Sequence, residues 1–470
     1  TIGCAQCHDH KYDAISQREY YQLFAFYNNC DEPDLELASP MEQVFRDALQ
    51  DETTAFLETA FDLLPDRAAK QAAWEKSTTM AFRQAQTLEA RVAFDLPSEQ
   101  RERNHNLVLF DLFLQHGKAD PKLSARYLAL KKSMPKFVTT MVVSERATAR
   151  ASTIHIQGDF TRRGDPVEPG TPRVLPALRP APGKTRLDRM DLARWLVDPA
   201  NPLTARVQVN RVWQVYFGRG IVETENDFGT QGAPPSHPSL LDWLAREFID
   251  QGWSIKALHR VIVTSAAYRQ SSRVRPEVAA RDSDNRRLAR QNRLRLEAEL
   301  IRDSALFAAG LLDTTIGGPS VFPPQPDGVM TLGQMKREWT PSEGSQRYRR
   351  GLYTFFWRAT PYPSLMVFDA PDSTKACTRR NRSNTPLQAL TLLNDESFHE
   401  AARAMARRIL REIPSSDSTA RLRHAFRLTL ARLPEERETA RLLDLLSEAR
   451  DEAPTTVDEQ ELNAWTAVCR

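Results

Sequence analysis

Residues 4–8 read Cys-Ala-Gln-Cys-His, and this Cys-x-x-Cys-His spacing constrains the chain more than any other feature. It is the spacing that attaches c-type haem. Cys4 and Cys7 lie three positions apart, so on one helical turn both thiols can form thioethers to one porphyrin. His8 can then place its imidazole under the iron as the proximal ligand. We therefore expect haem c, bound by Cys4 and Cys7 with His8 on the haem iron.

The same residues leave other chemistry open. Cys4, Cys7, His8 and His10 offer thiolates and imidazoles, the ligands of a tetrahedral zinc or iron site. Such sites usually draw ligands from two separated segments, and the chain has no second Cys-x-x-Cys or His-x-x-x-His. A thioredoxin-like dithiol or structural cysteines are the remaining alternative, although no strand precedes Cys4 to carry a redox motif.

Composition describes an ordinary soluble chain, long enough at 470 residues for two or three domains. The net charge of +3 is too small to imply a nucleic-acid partner, and we expect the arginines to form surface ion pairs with the 61 acids. No run of 18 apolar residues exists, so no transmembrane segment is predicted.

The cysteines also bear on location. Cys30, Cys377 and Cys469 lie far apart and do not form a disulfide framework with the first pair. Haem is attached to this motif outside the cytosol, so the haem hypothesis predicts a secreted or periplasmic protein. The chain begins inside the motif region without a signal peptide or initiator Met, and we expect it to be truncated at both ends.

The pattern of apolar residues predicts a mainly α fold made of multi-helix domains, with a small β element near residues 137–157. Ser16 and Glu19 form a capping box that opens a helix bearing Tyr20, Leu23, Phe24 and Tyr27 on one face. This face is expected to pack as core or to wall a porphyrin. Further helices are predicted at residues 41–64, 66–94, 98–117 and 121–133, and two strands, 137–143 and 152–157, are expected to pair.

Proline content divides the chain. Residues 158–184 hold six prolines, which exclude a helix or a central strand. We predict a domain at residues 1–160 with the Cys-x-x-Cys-His motif, a Pro-rich linker at 161–184, and a helical domain at 185–470. Thr385 and Gln388 form a second capping box in the latter.

Several stretches together resemble a Planctomycete secreted cytochrome-like family. Residues 3–13 and 20–27 resemble the end of its cytochrome-associated domain of unknown function. The family's C-terminal secreted domain is resembled in two parts. Its start resembles residues 192–197, 201–207, 210–213 and 217–220. Its continuation resembles residues 227–229, 235–238, 241–245, 265–269 and 384–390. The resemblance implies export and the two-part domain order, and it implies no established activity.

Polar residues in the second domain suggest a further site. Arg206, Asn210, Asp227 and His237 are candidates for lining a polar cleft, where guanidinium groups can collect an anion. The alternatives are internal ion pairs for Arg206 and a helix-capping role near His237. The basic run 378–382 is expected to be a solvated loop.

The preferred hypothesis is an exported haem c protein that moves electrons to or from an unknown redox partner. The first alternative is a zinc-dependent extracellular enzyme acting on a polymer through a metal-activated water. The second is a non-catalytic binding or scaffold protein of the cell envelope. The sequence does not decide whether the protein is an enzyme.

Overall fold

The computed structural model describes residues 2–116, 119–333, 337–451 and 457–470. Within these residues lie twenty α-helices and six short strands, which confirms the predicted mainly α fold. The strands form only two-stranded sheets. In this part of the chain, every helix is too short or too polar to cross a membrane.

The first third of the chain, after the motif, is mainly helical. Its helices are α1 Gln17–Asn28, α2 Pro40–Leu63, α3 Arg67–Ser77, α4 Met80–Gln84, α5 Leu88–Asp95, α6 Arg103–Gln115 and α7 Pro121–Ser133. The single helix predicted at 66–94 is wrong, because Thr79 and Thr87 each accept a backbone hydrogen bond and start a new helix. The helix predicted at 98–117 is a 3₁₀ turn, Ser98–Gln100, followed by α6, and residue 117 lies outside the described residues.

The strands are β1 Cys30–Asp31, β2 Asp34–Glu36, β3 Thr139–Met141, β4 Ser144–Glu145, β5 Ser152–His155 and β6 Arg163–Val167. The two predicted strands, residues 137–143 and 152–157, do not pair with each other. Instead β3 pairs with β2, and β5 pairs with β6, both antiparallel. The partner of β3 comes from a segment far earlier in the chain, and the partner of β5 comes from the Pro-rich stretch that follows it, so the pattern within residues 137–157 reveals neither.

The Pro-rich stretch lies along α1. Its Gly170 donates a backbone hydrogen bond to Gln22, and the Arg173 amide donates to the Glu19 carboxylate at 2.9 Å. Burial raises the pKa of Glu19, but hydrogen bonds from Arg173 and Ser16 lower it by more. The pKa of Glu19 therefore lies below its ordinary value. The stretch is therefore anchored through an ionised carboxylate, and the domain boundaries around it stay predictions.

The rest of the chain is helical apart from long connections. Its helices are α8 Arg189–Leu196, α9 Thr204–Phe217, α10 Pro238–Asp250, α11 Ile255–Thr264, α12 Ala266–Arg269, α13 Pro276–Ala279, α14 Ala298–Ala309, α15 Pro363–Val367, α16 Pro386–Asn394, α17 Glu396–Glu412, α18 Ser418–Leu430, α19 Glu436–Asp451 and α20 Val457–Cys469. Thr385 caps α16 with Gln388 as predicted. Separate buried cores form around Phe110, Trp213 and Trp465.

Candidate functional site

The Cys-x-x-Cys-His motif occupies a 3₁₀ helix, Ile2–Gln6, and the turn after it. Side chains three residues apart nearly eclipse in a 3₁₀ helix, so this geometry favours both thiols on one side. Cys4 and Cys7 are exposed free thiols, while Ala5 between them is fully buried and anchors the turn. A Cβ on Gly158 would lie 2.6 Å from the Cys7 sulfur, so only glycine leaves room for this thiol.

Helix α1 holds the turn from below. The Gln6 carbonyl accepts hydrogen bonds from the Tyr21 hydroxyl at 3.1 Å and from Gln17 Nε2 at 3.0 Å. The same Gln17 amide donates to the His155 carbonyl at 3.1 Å, which ties the turn to β5. Burial raises the pKa of Tyr21, and the nearby Tyr20 and Cys7 raise it further, so the phenol stays a proton donor.

His8 is exposed, and its ring is held by one backbone contact. Its Nδ1 lies 2.6 Å from the carbonyl oxygen of Asp9. A carbonyl oxygen only accepts, so Nδ1 carries a proton, and in the neutral imidazole Nε2 is the nitrogen with the lone pair. Metal-binding histidines are commonly oriented by this kind of bond from the second ring nitrogen. The Asp9 carboxylate is itself fixed, because it accepts a hydrogen bond from the backbone N–H of Gln17 at 2.7 Å.

His10 has a different role from His8. Its Nδ1 accepts hydrogen bonds from the backbone amides of Asp13 at 2.8 Å and Tyr12 at 3.4 Å. The lone pair on Nδ1 is thus occupied by the loop itself. Among the described residues, no group of three or more His, Cys, Asp and Glu side chains is arranged to hold a metal ion. The geometry therefore gives no support to a four-ligand site that includes His10.

Asp13 joins the motif loop to the turn at residues 227–230, which follows α9. Its carboxylate accepts hydrogen bonds from the Thr230 amide at 2.7 Å and from the Thr230 hydroxyl at 2.9 Å. The backbone bond from Thr230 holds the pKa of Asp13 below its ordinary value, with His10 adding to the effect. A Cβ on Gly229 would lie 2.5 Å from the same carboxylate, so the two segments fit closely.

Two of the predicted cleft residues are engaged inside the fold. Arg206 donates to Asp242 at 2.7 Å and to the Pro202 carbonyl. Asn210 is fully buried in α9, where its side-chain amide accepts from the Val222 N–H at 2.8 Å and donates to the Val222 carbonyl at 2.9 Å. Arg206 thus forms an ion pair with Asp242. The Asn210 side chain supplies the hydrogen-bond partner for the backbone N–H and carbonyl of Val222.

The other two cleft candidates lie in turns. The Asp227 carboxylate accepts from the Gly229 amide at 2.9 Å, which shapes the turn. His237 is the N-cap residue of α10 but makes no side-chain capping bond. It lines a small cavity of about 30 Å³, and the other three candidates do not line that cavity. A shared polar cleft stays a prediction that these contacts do not support.

The Ser236–His237 pair lacks the geometry of an activated nucleophile. His237 Nδ1 lies 3.0 Å from the Ser236 hydroxyl oxygen, and that hydroxyl donates to the Ile221 carbonyl. The proton between them must therefore come from the imidazole Nδ1. His237 then cannot act through Nδ1 as the base that takes a proton from Ser236. In the basic run 378–382, Arg380 pairs with Glu299 and Glu297, whereas Arg379 and Asn381 are exposed as expected for a solvated loop.

Residues 188–446 match the PSD1 family, described as a protein of unknown function (DUF1553). The match covers more than half of the chain. The chain belongs to this family. Residues 1–32 match the PSCyt2 family, also described as a protein of unknown function (DUF1549). Comparisons with curated proteins and with solved structures gave no match.

The two matches confirm the resemblance to the Planctomycete cytochrome-associated and secreted domains. The Cys-x-x-Cys-His motif lies in the PSCyt2 match, and Thr230 lies in the PSD1 match, so the Asp13 contact joins the two family segments. Sequence reasoning missed Asp9, Asp13 and Gln17 as residues that position the motif. Only the capping box at Ser16 indicated that a helix begins directly behind the loop.

Proposed function

We propose that this chain binds haem c through Cys4 and Cys7, with His8 as the axial ligand, and that it is an exported electron-transfer protein. The observation that carries the proposal is the 2.6 Å contact between His8 Nδ1 and the Asp9 carbonyl oxygen within the Cys-x-x-Cys-His motif. The Asp9 carbonyl holds Nδ1–H, and Nε2 is left as the atom that can bind iron. When bound, haem c supplies a one-electron iron couple.

The chain's own residues fit the group in two further respects. The thiols are unpaired and exposed, as attachment to vinyl groups requires, and Gly158 leaves space at Cys7. The loop is also held in place by the protein's own hydrogen bonds, from Gln17 and Tyr21 to the Gln6 carbonyl. A preorganised ligand loses less conformational entropy on binding.

An exposed motif favours electron transfer over chemistry in an enclosed site. Cys4, Cys7 and His8 all lie at the surface, so a redox partner can approach the cofactor directly. The redox partner stays unidentified. Export to the periplasm or the outside belongs to the proposal, because attachment to this motif occurs outside the cytosol.

The test is a haem stain of the denatured protein, combined with a pyridine haemochrome spectrum. The protein is expressed with an export signal in a host that has c-type maturation machinery. The variant Cys4→Ala/Cys7→Ala is expected to lose the stain completely. The matched control is Cys30→Ala/Cys377→Ala, which removes two other free thiols and is expected to keep the stain.

Absence of stain in the folded, exported wild-type protein would refute haem attachment. Elemental analysis then decides between the alternatives. One zinc per chain, lost in Cys4→Ala/Cys7→Ala, would support the zinc-dependent enzyme. No metal, with unchanged stability in that variant, would support a scaffold or binding protein with structural cysteines.

A redox titration tests the electron-transfer part separately. A reversible change of the visible haem bands between oxidised and reduced protein is expected. The variant Asp9→Ala keeps the backbone carbonyl of residue 9, which His8 contacts. It perturbs the loop mildly, because it removes only the carboxylate that accepts from the backbone N–H of Gln17. It is expected to change the midpoint potential without abolishing the stain.

A further inference from the structure

A single surface loop concentrates positive charge. Residues 273–293 contain seven arginines and three carboxylates, whereas the entire chain carries a net charge of only +3. The remainder of the chain is therefore slightly acidic. Six of these arginines are exposed, namely Arg273, Arg275, Arg281, Arg286, Arg287 and Arg293. We call residues 271–293 the arginine loop.

The arginines of this loop lack carboxylate partners, although Arg275, Arg290 and Arg293 donate side-chain hydrogen bonds to nearby oxygens. Exposed Arg18, Arg246 and Arg432 each pair with a carboxylate. In the described parts of the chain, by contrast, no carboxylate lies within ion-pair distance of any arginine at 273–293. The expectation of paired surface arginines therefore does not hold in this loop.

One of the three carboxylates of the loop, Asp282, bonds to the backbone instead of to a guanidinium group. Asp282 accepts hydrogen bonds from the backbone amides of Arg286 at 2.9 Å and Arg287 at 2.8 Å. These bonds leave the two guanidinium groups without a bonded partner inside the protein. The turn is fixed at both ends by Asn285 and Leu288, which have positive φ angles of 53° and 56°.

The two arms of the loop are fastened to each other. The Gln291 amide donates to the Ser271 carbonyl at 3.1 Å, and Arg275 donates to the Ala289 carbonyl at 2.8 Å. A small cavity between the arms is lined by Arg273, Arg275 and Arg290, among others. The positive charges are therefore held together on one compact surface rather than spread along a mobile chain.

The loop is also attached firmly to the domain beneath it. Leu288 packs against the core around Trp213. Asn292 donates to the Phe217 carbonyl at 2.8 Å, and Gln291 donates to the Tyr216 carbonyl at 3.2 Å. Such attachment reduces the entropy lost when a ligand binds.

We propose that the arginine loop binds an anionic polysaccharide, whose closely spaced sulfate or carboxylate groups are bridged by its guanidinium groups. Guanidinium groups form bidentate hydrogen bonds with both kinds of oxyanion. A nucleic acid is disfavoured because residues 271–293 contain no aromatic side chain to stack on bases. A protein partner is disfavoured because Val274 is the one exposed large hydrophobic residue in the loop.

The experiment measures binding of the full chain to immobilised heparin, as the sulfated probe, and to polygalacturonate, as the carboxylated probe. The variant replaces four arginines that donate no side-chain hydrogen bond, in the form Arg273→Gln/Arg281→Gln/Arg286→Gln/Arg287→Gln. The control makes the same charge change at four exposed arginines that are ion-paired elsewhere, as Arg18→Gln/Arg103→Gln/Arg246→Gln/Arg432→Gln.

We expect salt-sensitive binding of the wild-type protein to at least one probe, weakened about tenfold or more in the loop variant and little in the control. Preference for heparin or for polygalacturonate identifies sulfate or carboxylate as the recognised group. Equal loss in both variants would overturn the proposal, because net charge alone would explain binding. No binding to either probe, or tighter binding to single-stranded DNA, would also overturn it.

Discussion

Replacing Asn210 by alanine tests whether a predicted cleft residue is structural. The Asn210 side chain makes two hydrogen bonds with the backbone of Val222, and both residues are buried. In Asn210→Ala the Val222 N–H and C=O each lose their partner inside the protein. A Cβ on Gly220 would lie 2.6 Å from the Asn210 side-chain nitrogen, so the chain fits closely around this amide.

The magnitude follows from these two groups. An unpaired buried backbone group costs about 1–3 kcal/mol, so two of them cost about 2–6 kcal/mol. Water that enters the space left by the side chain recovers part of this cost. We expect the free energy of unfolding of the surrounding helices to fall by about 3 kcal/mol.

The assay combines urea unfolding with hydrogen exchange of the peptide that contains Val222. A loss of about 3 kcal/mol corresponds to exchange of the Val222 amide that is faster by about two orders of magnitude. The control is Asn226→Ala, since Asn226 is exposed and makes one bond, to the Thr378 hydroxyl at 2.7 Å. We expect the control to change stability by less than about 1 kcal/mol.

Equal stability of Asn210→Ala and Asn226→Ala would show that the Asn210 bonds are not structural. Unchanged exchange at Val222 would carry the same message independently. If Asn210→Ala instead kept its stability and lost affinity for an anion, the polar-cleft hypothesis would regain support.

Three further variants test the motif loop and the last core. Asp13→Asn should lower stability by about 1 kcal/mol at neutral pH. Because the folded-state pKa of Asp13 is depressed, this difference should begin to shrink below about pH 4 and be lost as the pH falls through the folded-state pKa; equal pH profiles from thermal melts would contradict this. Gly158→Ala, at φ +78°, forces a Cβ against Cys7 and should cost about 1–2 kcal/mol and reduce the haem stain, so an unchanged stain would count against the proposed packing. Trp465→Ala empties a fully buried site and should cost about 3–5 kcal/mol in urea unfolding, and a loss below 1 kcal/mol would refute that packing.

Local patterns predicted local structure well. The Ser16 and Thr385 capping boxes are both present, because a cap depends on residues only three positions apart. The long helix α2 begins at Pro40, where a proline at the first turn predicted it. The motif itself needed only five adjacent residues, and it remains the basis of the proposed function.

Patterns within α1 did not reveal which face is buried. The predicted face contained Tyr20, Phe24 and Tyr27, yet Tyr27 is 60% exposed. The residues most buried are Tyr21, Ala25 and Phe26. The helix carries aromatic residues on more than one side. The packing of α8 and β5 against it decides which of these residues are buried.

Sequence alone determined the Cys-x-x-Cys-His motif, the capped starts of α1 and α16, the mainly α class and the family resemblance, because each is written in neighbouring residues. Tertiary structure decided the rest. It placed Thr230 beside Asp13, 217 positions away in sequence, and it placed the Asn210 side chain against the backbone of Val222. It also left the arginine loop without carboxylate partners. Such contacts depend on how distant segments pack, and no local spacing records which donor will meet which acceptor.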